Sequence, residues 1–136
     1  LSYLQTILKG IKTCDYMNIL GHYDFIAKYS PYEDRRMTLD VSKELFAEIF
    51  SYLAKNGKGI EINTSGLRQE YGKTFPSYEY IKLYKDLGGT IITFGSDCHS
   101  TADLAKGIPE GIALAKKAGF TKAAYYLKHE PHFLDI

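Results

Sequence analysis

The sequence predicts an α/β protein built on parallel strands. Helical and strand-like segments alternate along the chain, the helical ones are long enough to cross back over a sheet, and polar clusters follow three of the strand-like segments directly.

Each element has its own signal. Leu4, Ile7, Leu8 and Ile11 follow the i, i+3, i+4, i+7 spacing of a helix with one buried stripe. Tyr16 to Leu20 is a short apolar run ended by Gly21, suited to a strand buried on both faces. Residues 28–38, with Pro31 and a cluster of charges, read as a surface loop. Helical spacing resumes from Leu39 to Lys55, with Val41, Leu45, Ile49 and Leu53 on one face and Asn56-Gly57 as the stop. Gly59 to Asn63 alternates like a strand, and a polar loop runs from Thr64 to Pro76. Ser77 suits the N-cap of a helix carrying Ile81, Tyr84 and Leu87, which Gly88-Gly89 closes. Thr90 to Phe94 is β-branched and strand-like. A helical region from Asp103 to Ala118 is interrupted near Pro109 and ended by Gly119, and Thr121 to Leu127 reads as a further strand. Four such units cannot close an eight-stranded barrel, so the pattern fits a small open sheet or part of a larger barrel with its other strands upstream of Leu1.

Composition bounds the function. The 136 residues make one domain-sized segment, 1–136, and 45% hydrophobic with 24% charged residues excludes disorder. A formal charge of +1 provides no net field to gather nucleic acid or an anionic membrane, so neither is expected as a partner and any anion must be held locally. The sequence shows no apolar run near the ~20 residues a membrane span needs and no signal-peptide core, and Cys14 and Cys98 form no metal or disulfide framework. A cytoplasmic protein is expected.

The chemistry sits after the strands. In Gly21-His22-Tyr23-Asp24, an extended backbone would turn His22 and Asp24 to the same side; in Ser96-Asp97-Cys98-His99 it would pair Asp97 with His99 and turn Cys98 away. Imidazole and carboxylate from two strand ends suit Zn, Mn or Fe. Between them, Glu61 and Asn63 share a strand face, the Thr64-Ser65-Gly66 turn can present N–H groups to an anion, and Arg68 adds a fork of donors suited to phosphate. A lone strand-end histidine is more often a hydrogen-bonded loop residue than a ligand, and an Arg on such spacing is as readily a solvated surface residue. The repetition of His with Asp at two strand ends is what favours the metal. His129 and His132, flanking Pro131, read as a solvated tail. The 12 tyrosines show no stacking repeat of the kind that binds nucleic acid.

The segments ILGHYDFIAKY, EINTSGLR, GSDCHS and GIPEGIALAKKAGF resemble, in order and spacing from Tyr16 onward, the later motifs of the PHP superfamily of metallohydrolases and, within it, the histidinol-phosphatase family. The resemblance implies part of a distorted (β/α)7 TIM-like barrel, a divalent metal cluster at the carboxyl ends of its strands, and hydrolysis of L-histidinol phosphate to L-histidinol and phosphate in histidine biosynthesis by a metal-activated water. It implies His22, Asp97 and His99 as metal ligands, with Asp97 and His99 central to catalysis. Arg68, with Ser65 and Asn63, would contact the substrate, and Asp24 and Glu61 would stand behind the ligands. The family's amino-terminal H-x-H motif does not occur in these residues. Two further readings remain. A half-barrel with exposed sheet edges would be an inactive, self-associating piece; a PHP-type nuclease would need a basic groove, which the near-neutral charge disfavours.

Overall fold

The structure is a computed structural model and describes residues 2–24 and 39–136. The loop expected over residues 28–38 and the side chain of Val41 lie outside the described residues. Helix α1 (Ser2–Thr13) leads into strand β1 (Ile19–Leu20), helix α2 (Leu39–Lys55) into β2 (Gly59–Asn63), and α3 (Tyr78–Asp86) into β3 (Ile92–Gly95). Helix α4 (Ile108–Ala118) then leads to β4 (Lys122–Leu127) and β5 (Glu130–Asp135).

Strands β1, β2 and β3 form one parallel sheet in that order, with Leu20 beside Ile60 and Asn63 beside Gly95. All three therefore end at the same edge. Ile60, Ile62 and Ile92 are fully buried in the same core as Phe46, Ile49, Phe50 and Leu53 of α2, Ile81 and Tyr84 of α3 and Ala115 of α4. Alternation along β2 then turns Glu61 to the opposite face of the sheet.

Two buried contacts tie the base of the sheet. The half-turn after α1 leaves carbonyls of Cys14, Asp15 and Met17 without helical partners, and the buried Lys58 ammonium caps them at 3.5, 3.1 and 2.6 Å. Tyr84 donates its hydroxyl to the Lys58 carbonyl at 3.0 Å, which joins α3 to the start of β2.

Three sequence expectations are corrected. The segment 121–127 is a strand, but it pairs antiparallel with β5 in a separate hairpin and adds nothing to the parallel sheet. The residues around His129 and His132 are its turn and return strand: Asn18 Nδ2 lies 3.0 Å from His129 Nδ1, and the His132 ring stacks on Tyr125. Pro109 does not interrupt a helix. It occupies the first turn of α4, where a missing N–H costs nothing, and the chain enters that helix through Gly107 at φ 79°.

Candidate active site at the strand ends

The carboxyl ends of β1, β2 and β3 each continue into one of the polar clusters, so the sheet gathers them along one rim. At the end of β3, Asp97 and His99 come together, with His99 Nε2 3.4 Å from Asp97 Oδ1. They meet by a different route from the extended backbone the spacing suggested. Asp97 has φ 48°, a left-handed conformation uncommon outside glycine and concentrated at functional sites. His99 is 90% exposed and Asp97 33%, so the pair opens to solvent.

Arg68 holds that loop. Its Nη2 donates to the carbonyls of Ser96 at 2.8 Å and Asp97 at 3.3 Å, its Nε lies 3.9 Å from Asp103 Oδ1, and its Nη1 is buried without a hydrogen-bond partner. The guanidinium expected to meet a phosphate thus also braces the backbone of Asp97. This brace is long-range in sequence, and no local spacing signals it.

Asn63 and Ser65 are 1% and 3% exposed, and they answer each other. Asn63 Oδ1 accepts from Ser65 N at 3.0 Å and from Ser65 Oγ at 2.7 Å. Asn63 Oδ1 and the Ser65 hydroxyl are thus engaged with each other inside the turn that carries Arg68. Thr64 Oγ1 secures the same turn, donating to the Lys106 carbonyl at 2.6 Å. Glu61 lies partly exposed on the central strand, and Asn63 Nδ2 donates to its Oε2 at 3.3 Å.

The end of β1 is different. His22, at φ 20°, breaks the alternation, so His22 is exposed while both Tyr23 and Asp24 are buried. The same-side arrangement expected for His22 and Asp24 does not form. Tyr23 packs among Phe46, Phe50 and Tyr80 with ring centroids 5.9, 5.8 and 6.4 Å away. Neither oxygen of Asp24 has a hydrogen-bond partner, so it orients no imidazole, and burial pushes its carboxyl up to about 7.

Asp97 and His99 present a carboxylate and an imidazole side by side, a combination that zinc and its neighbours accept. His22 follows β1 and Asp97 follows β3, on either side of β2, which separates the two strands by roughly 9 to 10 Å at ordinary strand spacing. Accordingly, among the described residues no group of three His, Cys, Asp or Glu side chains is gathered to hold one ion. Of the three expected ligands, Asp97 and His99 lie side by side after β3 and His22 follows β1.

No family model matches the chain. It is 34% identical over 124 residues to a histidinol-phosphatase of Lactococcus lactis, covering 91% of this chain and 46% of that protein. It is 37% identical over 101 residues to a protein of Thermotoga maritima named a probable histidinol-phosphatase, covering 74% of this chain and 41% of the relative. The crystal structure of a histidinol phosphate phosphatase from Lactococcus lactis, complexed with zinc, L-histidinol and phosphate, matches 96% of this chain and 49% of its own, with a TM-score of 0.81 at 29% identity.

The chain is a relative of the histidinol-phosphatases. This bears out the resemblance read from the sequence, and the chain spans a little under half the length of these relatives. Among the described residues, no helix is long and apolar enough to cross a membrane.

Proposed function

We propose that residues 1–136 form one segment of a distorted (β/α)7 barrel, and that the protein is a metal-dependent histidinol-phosphatase. It would hydrolyse L-histidinol phosphate, a small phosphate monoester, to L-histidinol and phosphate in histidine biosynthesis in the cytoplasm. The observation that carries this reading is the Asp97–His99 pair, braced by Arg68 at a parallel-strand end, in a chain that superposes on half of a zinc-, histidinol- and phosphate-bound structure.

In this reading Asp97 and His99 would hold a divalent ion, and His22 would be a further ligand of the metal cluster. When bound, such ions supply Lewis acidity that lowers the pKa of water and draws charge from phosphoryl oxygens. The chain's own groups do the rest. Arg68 would offer its guanidinium charge to the phosphate while Nη2 keeps the Asp97 loop in place, and the Asn63–Ser65 lock fixes the turn that carries Arg68.

Phosphate release from L-histidinol phosphate by the full-length protein tests this. Release supported by Zn, Mn or Fe and lost on chelation is expected; no release with any of the three contradicts it.

A second reading rests on the hairpin and the sheet edges. Leu127, Phe133 and Leu134 are 56%, 46% and 61% exposed on a two-stranded sheet, and among the described residues the outer edges of β1 and β3 in the three-stranded sheet pair with no further strand. Self-association of the 136-residue chain follows from this, and sedimentation showing a monomer at all concentrations would exclude it.

A further inference from the structure

Glu61 occupies the centre of the rim. Its strand lies between the other two, and its carboxylate reaches across both neighbours: a Cβ placed on Gly95 would stand 2.2 Å from Glu61 Oε1, and one on Gly21 3.3 Å from Oε2. The first distance is far inside any real contact, so the Glu61 carboxylate fills the space that a side chain at position 95 would take. Glycine at both strand ends leaves it room. That carboxylate receives one long amide contact, from Asn63, and no Lys, Arg or His among the described residues forms an ion pair with it. A partly buried carboxylate without a cation favours a ligand that brings one.

The position of Arg68 limits what that ligand is. Glu61 touches Gly95, and Arg68 holds the carbonyls of Ser96 and Asp97, so the two opposite charges grip the same three-residue stretch. With consecutive Cα atoms 3.8 Å apart, that stretch is at most ~7.6 Å long. An anion site and a cation site this close suit a small zwitterion whose phosphate and ammonium are separated by a few bonds. A metal ion is the less fitting occupant, because Glu61 joins no three-donor group among the described residues.

We propose that Glu61 determines specificity by accepting the ammonium group of an amino-alcohol phosphate whose phosphate end is held at Arg68. This rests on the phosphatase reading above and adds to it the residue that separates amine-bearing phosphate monoesters from others.

The test compares Glu61→Gln with the unaltered full-length, metal-loaded protein on two substrates: L-histidinol phosphate and the analogous monoester lacking the amino group. Gln keeps the shape and an acceptor for Asn63, and bound metal is measured in both proteins. The expected result is that kcat/KM for the aminated substrate falls about tenfold or more, the range for a charge-assisted hydrogen bond, while the deaminated monoester is unaffected and metal content is unchanged. Equal losses on both substrates, no loss on either, or a loss of metal in the variant overturns the assignment, the last by making Glu61 a metal ligand. As a second measurement, L-histidinol without phosphate is titrated calorimetrically. Weaker binding to Glu61→Gln supports the proposal and equal binding overturns it. Failure of the unaltered protein on both substrates defeats the phosphatase reading itself, an outcome distinct from any of these.

Discussion

The ends of β1 and β3 carry the same two residue types two positions apart, and the fold treats them oppositely. After β3, Asp97 and His99 meet at 3.4 Å in the open, with their backbone pinned by a guanidinium. After β1, the histidine is exposed while the aspartate is buried beside an aromatic cluster with neither oxygen hydrogen-bonded. A two-residue spacing therefore specifies a pair only when the backbone between is held for it. At β3 the left-handed Asp97 and the Arg68 brace hold it; at β1 the turn at His22 points its two polar residues apart.

Replacing the braced carboxylate should have the largest consequence. Asp97→Asn in the full-length protein is expected to lower kcat for L-histidinol phosphate by about a thousandfold, on the scale of ~4 kcal/mol, because it removes a charged donor without changing shape. Activity within a factor of a few of the unaltered protein would dissolve the distinction between the two ends.

At the other end the expected effect is on stability, and its sign is opposite. The Asp24 carboxyl titrates near 7 because burial disfavours its charge, against an ordinary value of 3.8. Between those values the folded state binds more protons than the unfolded state, so stability is fully retained below about pH 4, falls as pH rises towards 7, and stays reduced above. In the metal-free protein, Asp24→Asn should therefore raise stability at pH 8 by up to ~4 kcal/mol and flatten the profile, the gain fading towards pH 4. Denaturant midpoints at the two pH values check it, and parallel profiles would count against the buried charge.

These two substitutions also show how much was legible beforehand. The helices were, since Ile49 and Leu53 of α2 and Ile81 and Tyr84 of α3 are the buried faces that the helical period selects. The parallel sheet and its strand-end clusters followed from alternation. The hairpin did not: Lys128 and His129 turn with φ 51° and 68° without the glycine or asparagine that announces such turns, and Pro131 is a residue type rare inside strands. Nor did the site's supports. Arg68 reaches Ser96 and Thr64 reaches Lys106 across 28 and 42 residues, distances over which residue patterns say nothing.

Arg68→Ala should cost about 1.5 to 3 kcal/mol in kcat/KM, the range for a charge-assisted hydrogen bond, with an added loss of order in the Asp97 loop that Arg68→Lys restores only partly. Steady-state kinetics of the three proteins check it; an unchanged specificity constant removes Arg68 from the site.

The smallest change is a control carboxylate. Backbone N–H groups and the Ser77 hydroxyl, which donates at 2.8 Å, hold Glu79 below the ordinary carboxylate range at the start of α3. Its stabilisation is present above pH ~4.5 and lost as pH falls through the lowered value. Glu79→Gln should cost at most ~1 kcal/mol at pH 7, reduced by solvent screening at this exposed position, and melting curves of the two proteins should converge as pH falls through the lowered value.

The central claim, that the paired Asp97 and His99 take a divalent ion, is tested most directly by zinc titration of the 136-residue chain beside its Asp97→Asn/His99→Ala variant, with circular dichroism confirming that both are folded. Saturable zinc uptake by the unaltered chain and its loss in the double variant is the result this account requires. Equal uptake by the two, or none by the unaltered chain, would contradict it.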